Sequence, residues 1–485
     1  MWNTTGFPDL FYDEGVYMRR AMHVLDGLGP QESYYHDHPY FGQLLLAGVF
    51  KIIGYPNLLN PSATTTNGNA HSIEMLYLVP RILIGILAVA DTFLVYKISE
   101  RRYGRNVAFI ASVLFAVMPI TWLIRRILLD TIQLPFLLSS ILFALYYTKD
   151  SKSNCSGNNN KRILSVLLSG IFLGLSIFTK VPVFTMIPLI SFLIFANSNR
   201  NFKTLGLWFI PVILIPLLWP AQGIMSGQFS LWVKDVLWQT HVLWQTQIQN
   251  VGFSSVITFF LRVDPALLVL GTTGLIFATI KKDILLLLWI IPFIIFLSVT
   301  GFVQYFYWIP ILPVFSIAAA RIIVDLGKRV NGKKVQQMVL FAIISGIGIF
   351  GFVSTTALVI SNVSSQFEAA AFVAKYLRSD NNNITVISSP VYSWILSYIY
   401  NSGHVFSDYR DLLFYPIQTK KVLLIADHHF KSNMGAGEQL QMIYNNTTII
   451  ATFKGGVLDY DLGKYPYTSM VPNYEGSIVE IRVSK

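Results

Sequence analysis

LYLVPRILIGILAVADTFLVYKISERRYGRN, residues 76–106, sets the class of the molecule. Its first two-thirds is one apolar run carrying only Arg81 and Asp91 as charges, and Lys97, Arg101, Arg102 and Arg105 follow at once. A helix that crosses the hydrocarbon of a bilayer needs about 20 such residues. A basic cluster directly after it marks a cytoplasmic end, because Lys and Arg resist translocation. The pattern recurs along the chain. Further apolar stretches lie at 107–122, 127–147, 163–179, 181–197, 204–222, 263–280, 284–300, 306–325 and 336–360.

Composition agrees with that reading. Of 485 residues 53% are hydrophobic and 13% charged, against roughly 25% charged in a soluble domain. A mean hydropathy of +0.54 over this length exceeds what one soluble core accommodates, since cores stop growing near 250–300 residues. The net charge of +11 does not point to nucleic acid, because the basic residues sit in short gaps between apolar runs. Those gaps hold Lys97 to Arg105, Lys149 to Arg162, Arg200 and Lys203, Lys281 and Lys282, and Lys328 to Lys334. The positive-inside rule makes these gaps cytoplasmic, so 123–126, 223–262 and 301–305 face outward, as do 1–75 and 361–485. Asn3, Asn362, Asn383 and Asn446 open N-x-S/T triplets in the outer segments, while Asn154 opens one in a cytoplasmic gap. Cys155 is the single cysteine, which excludes internal disulfides and cysteine-based metal sites.

The expected architecture is a multi-span α-helical membrane protein with a small extracytoplasmic α/β C-terminal domain. Residues 1–75 form an outer loop whose "YFGQLLLAGVFKIIG" (40–54) reads as a helix lying in the interface. About ten spans fill 76–360, and Trp238 and Trp244 are interfacial anchors. From 361 to 485 a helix ("FEAAAFVAKYLRSD") and strands ("ITVISS", "VLLIA", "TTIIATF", "SIVEIRV") alternate.

Charges near spans are the candidates for chemistry, because they are costly there. Arg126 and Asp130 are four apart and able to pair on one helical face; the plain alternative is a helix-end salt bridge. Lys180 lies between two spans and serves either a substrate or as a snorkelling anchor. Arg81, Asp91, Arg262 and Asp264 receive no role. Asp13 and Glu14 are an adjacent acidic pair in "PDLFYDEGVYMRRA", and "YYHDHPYFG" offers His36, Asp37 and His38, with His36 and His38 as candidate metal ligands. The acidic pair, the histidines, Arg125, Arg126, Asp130 and Lys180 all fall on the outward face. That mixture suits a substrate with a phosphate head and a lipid tail.

Five segments in order carry a family resemblance: "YDEGVYMRRA", "HPYFGQLLLAGVFKIIG", "RRILLDTIQLPFLL", "GIFLGLSIFTKVPVFTMIPLI" and "QYFYWIPILPVFSIAAA". Together they resemble the GT-C membrane glycosyltransferases, specifically the protein O-mannosyltransferase and aminoarabinose-transferase-like superfamily, over roughly residues 8–325. The resemblance implies a transmembrane helix ahead of residue 1 and a variable outer domain at the C-terminus. It departs at Gln304-Tyr305, where many relatives have Arg-Tyr, and at Tyr40, where they have a second proline. It implies transfer of a sugar from a polyprenyl-phosphate (dolichyl-type) donor to a protein, lipid or glycan acceptor at the extracytoplasmic face, while the abundant Ser, Thr and Asn with external sequons fit the plasma membrane of a prokaryote that glycosylates its surface, such as an archaeon. Within the resemblance Asp13 is the base and Glu14 orients acceptor or sugar. Arg125, Arg126 and Lys180 clamp phosphate, Asp130 positions an arginine, His38 shapes the loop, and Tyr305 lines the substrate. It implies no definite cofactor, with a divalent metal as an option. The competing readings are a polyprenyl-lipid transporter or flippase, and an inactive glycan-binding relative.

Overall fold

The computed structural model describes residues 10–484 apart from 33–35, 60–69, 148–157, 245–252, 301–302, 330–331, 361–363, 380–383, 414, 418, 434–437 and 455–477. Of the glycosylation triplets, Asn3, Asn154, Asn362 and Asn383 lie outside the described residues, and Asn446 is exposed at a turn.

The leading segment forms α1 (Tyr12–Leu25) and α2 (Phe41–Ile53). The bundle follows as α3 (Ala70–Tyr103), α4 (Arg105–Val117), α5 (Leu129–Tyr146), α6 (Asn158–Thr179), α7 (Ile187–Asn197), α8 (Phe202–Leu214), α9 (Leu218–Met225) and α10 (Phe229–Trp244). It continues through α11 (Phe253–Val263), α12 (Pro265–Ile280), α13 (Ile284–Val299), α14 (Leu312–Gly327) and α15 (Lys333–Ile360).

Six helical stretches among the described residues are long and apolar enough to cross a membrane: Ala70–Tyr103, Leu129–Tyr146, Lys161–Thr179, Phe202–Met225, Tyr305–Gly327 and Lys334–Thr356. The α11–α12 pair, bent by 116° at Asp264, is a seventh candidate. These coincide with seven of the expected apolar stretches. The remaining three form shorter apolar helices, Arg105–Val117, Val181–Asn197 and Ile284–Val299. Proline explains two of the breaks. Pro119 stands two residues past the end of α4 and Pro182 three past the end of α6, each removing a backbone donor and disfavouring helix at the residue before it.

Exposed apolar side chains run along the outside of the bundle. On α3 they are Ile82, Ile86, Val89 and Phe93, and on α15 Phe341, Ile349 and Phe352. Spaced by three and four, such residues make one helical face, here turned to lipid. The bundle interior is instead led by Trp122, Trp208 and Trp289, each fully buried. At the basic end, Asp283 caps the core with Arg321, Arg102 and the Tyr103 hydroxyl around it.

The C-terminal unit starts with α16 (Ser364–Ser379) and carries a four-stranded sheet. Its strands are β1 (Ile384–Ile387), β2 (Lys421–Ala426), β3 (Thr447–Lys454) and β4 (Ile478–Ser484), in the order β1-β2-β4-β3. β1 and β2 are parallel, while β4 runs antiparallel to both β2 and β3. Short helices α17 (Pro390–Trp394), α18 (His428–Asn433) and α19 (Glu438–Asn445) complete it. All four strands fall where the sequence alternation places them.

Candidate active site

Three helix breaks and the start of α1 meet in one region. Between α4 and α5 the chain makes a 3-10 turn over Pro119–Arg125 and an irregular step through Leu128 before α5 begins. Between α6 and α7, Lys180 is extended ahead of the 3-10 turn Val181–Met186. Before α14, Tyr305–Ile311 forms a third 3-10 turn. Irregular backbone at membrane depth is tolerated where it is enclosed by protein or lines a cavity.

Asp13 and Glu14 open the first turn of α1, where the helix dipole favours carboxylates. Their side chains part company there. Glu14 is fully buried and ringed by donors. Arg81 reaches it through Nε and Nη2 at 3.0 and 2.8 Å, and Arg126 through Nη1 at 2.9 Å. The backbone N–H groups of Phe11 and Ile127 donate to it at 3.0 and 3.2 Å. Burial alone pushes its carboxyl upward, but Arg81 and Arg126 outweigh that and hold it down at about 2. Glu14 therefore ties α1, α3 and the α4–α5 break together through Arg81, Arg126 and the Ile127 N–H.

Asp13 is partly exposed and takes no hydrogen bond or ion pair from the described residues. Burial among protein pushes its carboxyl up to about 6, opposed by Lys180 and Arg20 and reinforced by Asp130 and Asp37. Two neighbouring carboxyls are thus shifted in opposite directions because their surroundings differ. Beside Asp13, buried Lys180 donates to Asp130 at 2.5 Å, and its ammonium lies 4.5 Å from the Tyr307 ring centroid.

The expected Arg126–Asp130 pair is replaced. Arg126 turns to Glu14 and packs over Trp122 at 5.0 Å, while Asp130 holds Lys180. The four-residue spacing fails because Arg126 precedes the helix, which starts at Leu129. Asp130 positions a lysine rather than an arginine. Arg125 is half-buried and makes no ion pair with the described residues. Tyr305 is buried in an aromatic cluster with Phe11, Phe259 and Phe306.

The loop between α1 and α2 is held by ion pairs. Arg20 Nη2 meets Asp37 at 2.6 Å, and Arg19 meets Glu32 at 3.0 Å. Burial pushes Asp37 up, yet Arg20 and His38 bring it down to about 2. His38 is driven down to about 4, chiefly by burial, and is neutral at pH 7. Its backbone carbonyl accepts from Gln31 Nε2 at 2.9 Å. His36 is buried against Asp235, which accepts its backbone N–H at 2.9 Å and stands 3.3 Å from Nδ1. Among the described residues the ligand atoms of His36, Asp37 and His38 do not converge as a trio, so this loop does not fit a three-ligand metal.

The C-terminal unit reaches the same region. Gly15 lies so close to α17 that an added Cβ would stand 2.3 Å from the Val391 nitrogen. The Tyr77 hydroxyl on α3 donates to the Val391 carbonyl at 2.8 Å and accepts from Trp394 at 2.9 Å. Tyr12 pairs with Asp408 and receives Arg410 at 2.5 Å. Leu10 N–H donates to Gln366 at 2.6 Å.

The sequence reading missed Arg81 as the main partner of Glu14, Tyr307 beneath Lys180, and Tyr17 near Asp13. Arg81 was detectable as a cation inside a span. The two tyrosines had no signal among 24.

Residues 30–222 match the family profile described as dolichyl-phosphate-mannose-protein mannosyltransferase. No curated protein matches the sequence. Among solved structures, ArnT from Cupriavidus metallidurans bound to undecaprenyl phosphate aligns with TM-score 0.60 at 11% identity, covering 99% of this chain and 95% of ArnT. The archaeal oligosaccharyltransferase AglB from Archaeoglobus fulgidus, in complex with an inhibitory peptide and a dolichol-phosphate, aligns at 0.58 and 12% identity, covering 97% and 74%. The same oligosaccharyltransferase tethered to an acceptor peptide with an NVT sequon aligns at 0.57 and 11%, covering 90% and 67%. At these identities the likeness establishes the fold.

Proposed function

Taking the GT-C glycosyltransferase fold as the premise, we propose that this membrane protein transfers a sugar from a polyprenyl phosphate to an acceptor at the extracytoplasmic face. The partial match to a protein mannosyltransferase profile and the polyprenyl phosphates bound in similar structures support a lipid-phosphate donor. The acceptor peptide in another favours a protein over a glycan or lipid as acceptor.

The observation that carries the proposal is the free, partly exposed Asp13 beside the Lys180–Asp130 pair. The acceptor's hydroxyl or amide attacks the anomeric carbon, and its proton passes to an Asp13 oxygen. The bond from that carbon to the phosphate oxygen breaks, and the electron pair leaves with the phosphate. Phosphate is a good leaving group, so no second carboxyl need act as acid, unlike the pair in glycosidases. A base with a pKa near the working pH is effective in this role. Lys180 and Arg125 supply positive charge where the phosphate accumulates it. Glu14, Arg81 and Arg126 act at one remove by fixing the start of α1.

The test uses the full-length protein in lipid nanodiscs with dolichyl-phosphate mannose and acceptor peptides. Release of dolichyl phosphate together with mannosylated peptide supports the proposal. Bilayer crossing of the donor without release favours a flippase, and binding without either favours an inactive relative. Donors carrying other sugars extend the same assay.

A further inference from the structure

We propose that Asp427, His428 and His429 form a site for a zinc-like divalent cation that fastens the C-terminal unit to the segment leading into α1. The three residues follow β2 and open α18, and all are buried. Each offers a ligand atom, and the three atoms lie within 4.8 Å of one another. The bland reading is a helix cap, and it accounts for one oxygen: Asp427 Oδ1 accepts the Phe430 N–H at 3.0 Å. It leaves Oδ2 buried and without a close hydrogen bond among the described residues, with the Tyr392 hydroxyl acting on the same carboxylate. A buried carboxylate oxygen in that condition is costly unless a cation meets it.

The histidines supply a second argument. His429 Nε2 lies 3.0 Å from the Leu10 carbonyl oxygen. A carbonyl only accepts, so Nε2 carries the proton and Nδ1 holds the lone pair. Metal-ligating histidines recur in that arrangement, with the far nitrogen donating to a backbone carbonyl and fixing the tautomer. The rings of His428 and His429 are in contact, 3.8 Å apart at 43°, and a ligand atom of each lies within 4.8 Å of the other's and of an Asp427 oxygen. Two imidazoles and one carboxylate suit zinc and its late first-row neighbours rather than magnesium or calcium, which favour oxygen. Leu10 is three residues before Asp13, and Tyr12 packs against the His429 ring at 5.8 Å. Occupancy would thereby stiffen the docking of α1.

Full-length protein in micelles, stripped with chelator, is titrated with Zn²⁺ against a chromophoric competitor, and separately with Co²⁺ under visible light. We expect about one tight equivalent of Zn²⁺ and cobalt ligand-field bands with imidazole character. Asp427→Asn and His428→Ala should each weaken Zn²⁺ at least tenfold, whereas His38→Ala should keep it. Equal Zn²⁺ affinity in His428→Ala and the parent overturns the site, as does loss of the tight equivalent in His38→Ala. Should the variants fail to fold, the cobalt spectrum of the unaltered protein decides alone: absence of the bands overturns the site. Neither readout involves sugar transfer, so this proposal stands or falls apart from the proposed activity.

Discussion

Replacing Asp13 and Glu14 in turn by their amides should move stability in opposite directions. Asp13 has its carboxyl raised from 3.8 to about 6, so at neutral pH the fold carries an anion it disfavours. A gap of about two units corresponds to roughly 3 kcal/mol, and partial solvent access reduces that to about 1–2 kcal/mol. The sign is fixed by linkage: the unfolded chain releases this proton more easily, so the ionised group lowers stability above pH 4, most fully beyond pH 6. Asp13→Asn removes the strain. Glu14 is displaced the other way, from 4.5 to about 2, because Arg81 and Arg126 outweigh its burial. Its contribution is present above pH 4.5 and is lost as pH falls through about 2. Glu14→Gln strands two buried guanidinium groups without their anion, at a cost of about 3–5 kcal/mol. Thermal unfolding in micelles at neutral pH, read beside sugar transfer, checks both. Asp13→Asn should keep or raise the midpoint while transfer drops about 100-fold or more, the scale of a lost general base. Glu14→Gln should lower the midpoint by many degrees. If Asp13→Asn destabilises as Glu14→Gln does, or retains transfer within a few-fold, the division of labour between them is wrong.

Transfer should fall about tenfold per pH unit below a limb near pH 6, and His38→Asn should leave the limb in place because His38 titrates near 4. Asp130→Asn strands buried Lys180, so it should destabilise by about 3 kcal/mol or more. It should also lower the limb, because Asp130 raises Asp13; an upward move would refute the electrostatic account. Gly15→Ala forces a Cβ against the α17 backbone and should lower the unfolding midpoint by the equivalent of about 1–3 kcal/mol. An unchanged midpoint would mean that α1 does not dock there.

The bundle was legible because lipid demands a monotonous signal: about 20 apolar residues, then lysine and arginine. Seven of the expected stretches survive as spans or a bent pair; of the other three, two are cut short by prolines whose effect on length a hydropathy pattern does not register, and Ile284–Val299 is a shorter helix with no such break. The strands were legible from alternation. The members of the site were legible as charges in costly places, but their pairing was not. Whether Arg126 meets Asp130 or Glu14 depends on α5 beginning at Leu129, a boundary that no spacing rule gives. Asp13 and Glu14 look interchangeable in the sequence; only the tertiary placement of Arg81, 67 positions from Glu14, separates them.

The order of the sheet bears on when this protein becomes competent. β4, the last strand along the chain, is not at an edge but lies between β2 and β3. The unit it completes grips Leu10, Tyr12 and Gly15. Translation therefore delivers the proposed base long before β4, the strand that completes its brace. A chain cut shortly before residue 478 would keep the bundle helices but lack the strand that joins β2 to β3, and so would lose the brace on the start of α1.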